Sequence, residues 1–347
     1  MSDLLRRLPA EWEKHQATLL SFPSEPNDWP GKFQAVQWAF VDFLRKVVQS
    51  EPVILLVKSE QLRMRAIAML ERAHANVNEI SFVVKDTNRN WMRDSGPIVV
   101  KQRDGSREAI RFGFNGWAKY HNYRKDTGVP GTVADLLGLT PTRAEYKGRL
   151  VVLEGGAIDY NGAGTLITTE ECLLHPEIQV RNPRFSKQDY ENIFREYFGI
   201  TNTIWLGEGI HGDDTHGHID DICRFVNRNT VVAAIENNPH DPNHEKLAAN
   251  LERLENARLE DGGKIGVVTL PMPGRIDFEA MRLPASYINF MITNQAVFVP
   301  TFNDKNDRIA LGILAELFPD REVLGINATD LIWGLGTLHC LSHEIPV

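Results

Sequence analysis

"DICRFVNRNTVVAAI" (221–235) sets two β-prone runs on either side of Asn227, Arg228 and Asn229. Such runs around Asn-rich residues read as strand, tight turn, strand. The same reading holds for "PIVVKQRDGSREAIRFGF" (97–114), "AIDYNGAGTLITTEECLL" (157–174) and "SYINFMITNQAVFVPTF" (286–302), each with Asn, Asp or Gly in the turn. A helical pattern follows each hairpin. The first is short, around "VADLLG" (133–138). The second carries Tyr190, Ile193, Phe194 and Tyr197 behind Ser186 and Asp189, which are spaced as a capping box. The third carries Leu247, Leu251 and Leu254, and the fourth Ile309, Ile313 and Leu317. These spacings give each helix one apolar face. A short apolar strand then closes each unit: "RLVVLE", "TIWLG", "IGVVTL" and "EVLGI".

The unit is therefore hairpin, helix, strand, repeating roughly every 60–70 residues. Four copies account for the chain from about 97 to 340, and the leftovers sit at its ends. The N-terminal part has "ATLLSFP" (17–23), a helix with Phe33, Val36, Phe40 and Val47 on one face, and the strand "VILLV" (53–57). The C-terminal part has one strand, "CLSHEIP", opened by Cys340. Pairing that strand with "ATLLSFP" makes a fifth hairpin and closes a ring of five units, as propellers do. The expected fold is thus a single α/β domain over residues 1–347, with an insertion at 58–86 that holds one helix and one strand.

Composition narrows the function classes. Of 347 residues, 42% are apolar and 24% charged, ordinary values for a globular chain. The formal charge of −8, from 46 acids against 38 bases, argues against nucleic acid and suits a cationic ligand. The first residues lack an apolar core of signal-peptide length, and no later run approaches the roughly 20 apolar residues of a membrane span. Cys172, Cys223 and Cys340 are too widely spaced for a disulfide framework or zinc ribbon, which favours a reducing cytoplasm. A homo-oligomer stays open.

Each unit's last strand meets the next hairpin at a polar motif. These are "NWMRDSGP" (90–97) with Asp94, "EGG" (154–156) with Glu154, "GDDTHGHIDD" (212–221) with His218 and Asp220, and "HC" with Cys340. In a ring of repeats, equivalent junctions face the axis at one end, so carboxylates, an imidazole and a thiol are expected in one central pocket. A free thiol has a pKa of about 8.5, and carboxylates beside it push that higher. The conflict disappears if the substrate is itself a cation. A guanidinium is planar, always charged, and matches carboxylates with a fork of N–H donors. Asp94 and Asp220 would clamp it against the Cys340 sulfur, whose thiolate the bound charge favours. His218 would protonate the departing ammonia and later take a proton from the attacking water. Glu154 would hold the imidazole. No metal or organic cofactor is required.

"MRDSGP", "EGG", "DDTHGHID" and the terminal "HC…IP" resemble the agmatine deiminase and bacterial peptidylarginine deiminase-like family, of the guanidino-group-modifying (pentein) superfamily. The resemblance runs from "LPAEWEKHQATLLSFP" to "HCLSHEIP". It implies a five-bladed α/β propeller, with Asp94 and Asp220 as guanidine-binding aspartates, His218 as general acid and base, and Cys340 as the nucleophile that forms an amidino-cysteine. It also implies hydrolysis of agmatine to N-carbamoylputrescine and ammonia, which feeds putrescine synthesis. Departures at His216, Leu335, Thr337 and the His343–Glu344 pair bear on substrate rather than chemistry, and leave peptidyl-arginine or another guanidine as the alternative. Agmatine's remote amine calls for an acid or an aromatic wall, for which Asp213, Asp214, Trp91 and Trp117 are the candidates.

Three rivals remain. His216, His218 and Asp220 are spaced as metal ligands, so a metal-dependent hydrolase is one. Transfer of the amidine to an amine is another, and a non-catalytic propeller that binds guanidinium is the third. Elsewhere the plain readings hold. Cys172 and Cys223 pack inside hairpin strands, Asp221 is a surface charge, and His339 alternates to the strand face opposite Cys340.

Overall fold

The computed structural model describes residues 5–347. Its secondary structure follows the hairpin–helix–strand order. Strands Cys223–Asn227 and Thr230–Ile235 pair antiparallel around the turn at Arg228, and helix Asn243–Asn256 crosses back. Strand Gly266–Pro271 then pairs parallel with Thr230–Ile235. The same plan recurs for Asp159–Tyr160, Thr165–Thr169 and Asn202–Leu206, and for Met291–Ile292, Ala296–Thr301 and Glu322–Asn327. It recurs again for Ile98–Gln102, Arg107–Arg111 and Thr140–Arg143, where Arg6–Arg7 adds an edge strand. A fifth sheet joins the two ends of the chain. His343–Pro346 runs antiparallel to His15–Ser21, with Thr18 opposite Glu344, followed in parallel by Val53–Val57 and Ile80–Val84. Two further strand pairs, Glu145–Tyr146 with Arg149–Leu150 and Asp277–Phe278 with Met281–Arg282, lie outside these sheets. No helix of the described residues is long and apolar enough to cross a membrane.

Local chemistry explains the helices. Helix Lys187–Phe198 starts at the capping box of Ser186 and Asp189 and stops at Gly199 in the left-handed region. Tyr190, Ile193, Phe194 and Tyr197 all face the core. Helix Phe33–Val47 buries Val36, Phe40 and Val47. The stretch at 58–86 carries helix Glu60–Arg72 and edge strand Ile80–Val84.

Four expectations need correction. The strand that completes the first hairpin is Thr140–Arg143, because "RLVVLE" folds back at Lys147–Gly148 into its own small ribbon. "EECLL" leaves the strand for a helical turn at Glu170–Leu174, capped by the Thr169 hydroxyl, so Cys172 is buried on a helix. In helix Asp307–Leu317 the inward residues are Ala310 and Leu314, while Ile309 is 50% exposed. Cys340 does not open the last strand; it sits in the helical turn Leu338–Leu341 just before it.

Candidate active site

Each junction residue stands in or beside a single helical turn between a strand and a hairpin. Asp94 lies in Met92–Ser95, Glu154 precedes Gly155–Ala157, Asp220 lies in Ile219–Asp221 and Cys340 in Leu338–Leu341. These turns pack on one another: 92–95 touches both 338–341 and 155–157, and 155–157 touches 219–221. The glycines of "EGG" make that approach possible. A Cβ on Gly155 would stand 2.3 Å from the Arg93 carbonyl oxygen, and one on Gly156 would stand 2.6 Å from His218 Nδ1.

Asp94, Asp220, His218 and Cys340 come together in this way. Cys340 Sγ lies 3.7 Å from Asp220 Oδ2. His218 Nδ1 lies 3.9 Å from Asp94 Oδ1 and 4.0 Å from Asp220 Oδ1. Asp94 is held from both sides, Oδ1 accepting from the Gly156 amide at 3.0 Å and Oδ2 from Trp117 Nε1 at 2.8 Å. Glu154 Oε1 accepts from Arg181 Nε at 3.0 Å, and Glu154, Cys172 and His218 each turn one donor atom into a cluster within 4.8 Å. All are buried, yet Glu154 Oε2, Asp220 Oδ1 and both ring nitrogens of His218 have no hydrogen-bond partner. Buried polar atoms without partners are rare, and several of them around one thiol call for an explanation.

The charges act in opposite directions on the members of this group. Burial, then Asp220, Asp221 and Asp94, push the Cys340 thiol well above its ordinary range. Burial also pushes Asp94 up to about 6, with Asp220 and Glu154 adding to it against His218. Burial, the largest single effect, lowers His218, but Asp94, Cys172 and Asp220 together outweigh it, and the imidazole is raised well above its ordinary value. Asp220 stays low despite burial because His339 donates to it. These directions favour an imidazolium among carboxylates, beside a neutral thiol.

A cavity of about 260 Å³ opens onto Asp94 and Cys340 and is walled by Trp91, Trp117, Phe278 and Trp333. Asp214 also lines it, with Lys119 on one oxygen and the Tyr120 hydroxyl at 2.7 Å on the other. Asp213 does not line it. Its carboxylate accepts from the amides of Thr215, Gly217 and His218 and so braces the loop that carries His218. The metal set fails on geometry: the His216 ring turns to Glu171 at 3.5 Å and packs on His175 at 4.9 Å, away from His218 and Asp220.

Two residues read as bystanders lie against the cluster. Asp221 is buried, and burial with Asp220 and Asp213 raises its carboxyl well above the ordinary range. His339 shares a helical turn with Cys340, not a strand, so it does not point to an opposite face. Its Nδ1 lies 2.7 Å from Asp220 Oδ2 and its Nε2 lies 3.0 Å from Glu11 Oε2.

Sequence reasoning missed Asn289, Glu11 and Arg224. Asn289 Nδ2 lies 3.1 Å from both Cys340 Sγ and Asp221 Oδ1, while its Oδ1 takes the Thr337 hydroxyl at 2.7 Å. Asn289 stands at the fourth junction, one repeat beyond Asp220, so the repeat itself was the signal. Glu11 and Arg224 pair with each other, and Arg224 Nε reaches Asp159 at 2.6 Å. No local pattern announces that pair.

The model of the Porphyromonas-type peptidyl-arginine deiminase family matches residues 7–346. The chain belongs to this family. Among relatives, an agmatine deiminase of Pseudomonas aeruginosa (strain LESB58) is 33% identical, over 98% of this chain and 95% of its own length. Among solved structures, the agmatine deiminase of Enterococcus faecalis superposes with a TM-score of 0.88 at 28% identity, covering 98% of this chain and 96% of its own. A putative arginine deiminase from Porphyromonas gingivalis gives 0.88 at 32% identity, covering 98% of each chain. Membership accounts for the common fold.

Proposed function

We propose that this chain is a hydrolase of C–N bonds in linear amidines, a deiminase that converts agmatine to N-carbamoylputrescine and ammonia through a thiouronium on Cys340. The observation that carries the reading is the set of buried, unpartnered acceptors and ring nitrogens around one thiol. A guanidinium supplies what that set lacks: a planar fork of donors and one positive charge. The names of the relatives support the substrate.

The steps follow from the charges. Asp94 and Asp220 take the guanidinium N–H groups in charge-assisted hydrogen bonds. The bound cation offsets the carboxylate field that holds the thiol high, and the thiol releases its proton to solvent. Sulfur bonds to the guanidinium carbon. The His218 imidazolium passes its proton to the nitrogen that leaves as ammonia, and the C–N bond breaks. Neutral His218 then takes one proton from water as oxygen bonds to the thiouronium carbon, the C–S bond breaks as the remaining hydroxyl proton passes to the departing sulfur, and a ureido product remains. Glu154, fixed by Arg181, keeps negative charge beside the imidazole.

The five sheets of one plan, with the two chain ends sharing a sheet, support a five-bladed α/β propeller acting as one catalytic domain. Three free cysteines suit a reducing compartment, which we take to be the cytoplasm. The test is ammonia release from agmatine, arginine, a peptide with C-terminal arginine, and guanidinobutyrate. Agmatine is expected to lead, Cys340→Ser to be inactive, and acid quench to trap a covalent adduct on Cys340. Turnover by Cys340→Ser refutes the thiol mechanism.

A further inference from the structure

The cavity that reaches Cys340 and Asp94 holds a second pair of carboxylates, Asp28 and Asp214. The two pairs belong to separate ends. The charges that act on Cys340 are Asp220, Asp221 and Asp94, whereas those that act on Asp28 are Arg89, Glu25 and Asp214. Asp28 closes the short helical turn Pro26–Asp28, and its side chain is only 4% exposed. One oxygen, Oδ1, takes Arg89 Nη1 at 2.5 Å; the other, Oδ2, is buried and has no partner in hydrogen-bonding geometry, although the Trp91 side chain is near enough to favour the ionised carboxyl. Asp214 offers no such vacancy, since Lys119 and Tyr120 occupy both of its oxygens. Burial pushes the Asp28 carboxyl up to about 7 even with Arg89 against it, and Glu25 and Asp214 add to the rise. This end of the cavity therefore holds one buried carboxylate oxygen that no side chain satisfies.

We propose that Asp28 is a specificity-determining residue whose free Oδ2 accepts a hydrogen bond from the distal ammonium of an ω-aminoalkyl guanidine. The inference rests on the deiminase reading and deepens it by defining both ends of the substrate. Trp91, Trp117, Phe278 and Trp333 supply apolar and π surface for the methylenes between the two cations. A free α-amino acid fits less well. Its carboxylate would compete for Arg89, whose Nη atoms are already engaged by Asp28 and by Asn122 at 2.8 Å. A distal ammonium leaves that pair intact.

The experiment compares kcat/KM for agmatine and for butylguanidine, which has the same chain without the ammonium, in the wild type and in Asp28→Asn. The wild type is expected to prefer agmatine by at least about tenfold, equivalent to about 1.4 kcal/mol. Asp28→Asn is expected to collapse that preference through KM for agmatine rather than through kcat. Equal losses on both substrates, or an unchanged preference, overturn the assignment of Asp28 while leaving the deiminase intact. If Asp28→Asn fails to fold, the wild-type comparison decides: equal kcat/KM for the two guanidines overturns it. If the wild type releases ammonia from neither, the deiminase reading itself fails, and the inference falls with it.

Discussion

Alanine in place of Gly156 isolates close approach from every other property of the site. The Gly156 backbone is not in the left-handed region, so a methyl there brings no dihedral strain. By narrowing the unfolded ensemble it should even favour the folded chain by about 0.4–1 kcal/mol. Packing works the other way. The methyl would stand 2.6 Å from His218 Nδ1 and 3.0 Å from Asp94 Oδ1. Ordinary contact begins at 3.4 Å, so the imidazole must retreat by about 0.8 Å, and Asp94 by about half that. A catalytic group misplaced by about 1 Å loses roughly a hundredfold in rate, equivalent to about 2.7 kcal/mol of barrier. The assay is kcat/KM for ammonia release together with a thermal melt. Gly312→Ala is the control: Gly312 lies in helix Asp307–Leu317 with nothing within 4 Å of a new methyl. It should gain up to about 1 kcal/mol of stability with activity unchanged. A Gly156→Ala enzyme with wild-type turnover refutes the argument that the imidazole is held by contact with a bare backbone.

Other perturbations separate charge from position. Asp220 is the strongest charge raising the Cys340 thiol, so Asp220→Asn should speed alkylation by iodoacetamide at pH 8 while cutting kcat/KM by at least about a hundredfold; slower alkylation contradicts the charge argument. Burial pushes the Asp94 carboxyl up to about 6 and that of Asp28 up to about 7. Each binds a cation only when ionised, so as pH falls kcat/KM for any guanidine should drop below about 6, and KM for agmatine alone should already rise near 7. A pH profile identical for agmatine and butylguanidine argues against the Asp28 step. Arg224 is fully buried between Glu11 and Asp159, and Arg224→Leu strands two carboxylates. Urea unfolding should show a loss of about 3–5 kcal/mol, and a loss below about 1 kcal/mol would make the pair no stronger than a surface one.

The hairpins and the capping box at Ser186 and Asp189 were legible because each is a local device, complete within a few residues. The meeting of Asp94, Asp220, His218 and Cys340 was legible because a repeat turns sequence phase into position. The same phase points to Asn289, yet an amide in an apolar hairpin carries no chemical flag. His339 was misread because the chain takes a helical turn after Thr337 instead of extending, and a turn of 338–341 puts adjacent side chains on neighbouring rather than opposite directions. Ile309 was misread because the inward stripe of that helix runs through Ala310 and Leu314, one residue out of phase with it. Glu11 and Arg224 are 213 residues apart in sequence, and nothing short of the folded chain brings them into register.

These missed groups explain how a site can be acidic and still stable. Asp220 stays ionised because His339 donates to it, and His339 is held in turn by Glu11, which Arg224 and His339 keep far below the usual carboxylate range against the cost of burial. The charge that must be present to bind a guanidinium is thus set by a chain of partners that starts at residue 11 and ends beside Cys340. The unpartnered oxygen of Asp220 is left free because its other oxygen carries the structural bond. One carboxylate then serves two purposes: Oδ2 fixes the fold around the sulfur, and Oδ1 waits for the cation. Substituting His339 with glutamine should therefore raise the pKa of Asp220 and narrow the pH range of activity on its acid side. Phenylalanine should do the same and also weaken the fold, because it leaves Asp220 Oδ2 without its donor and Glu11 Oε2 with Arg224 alone.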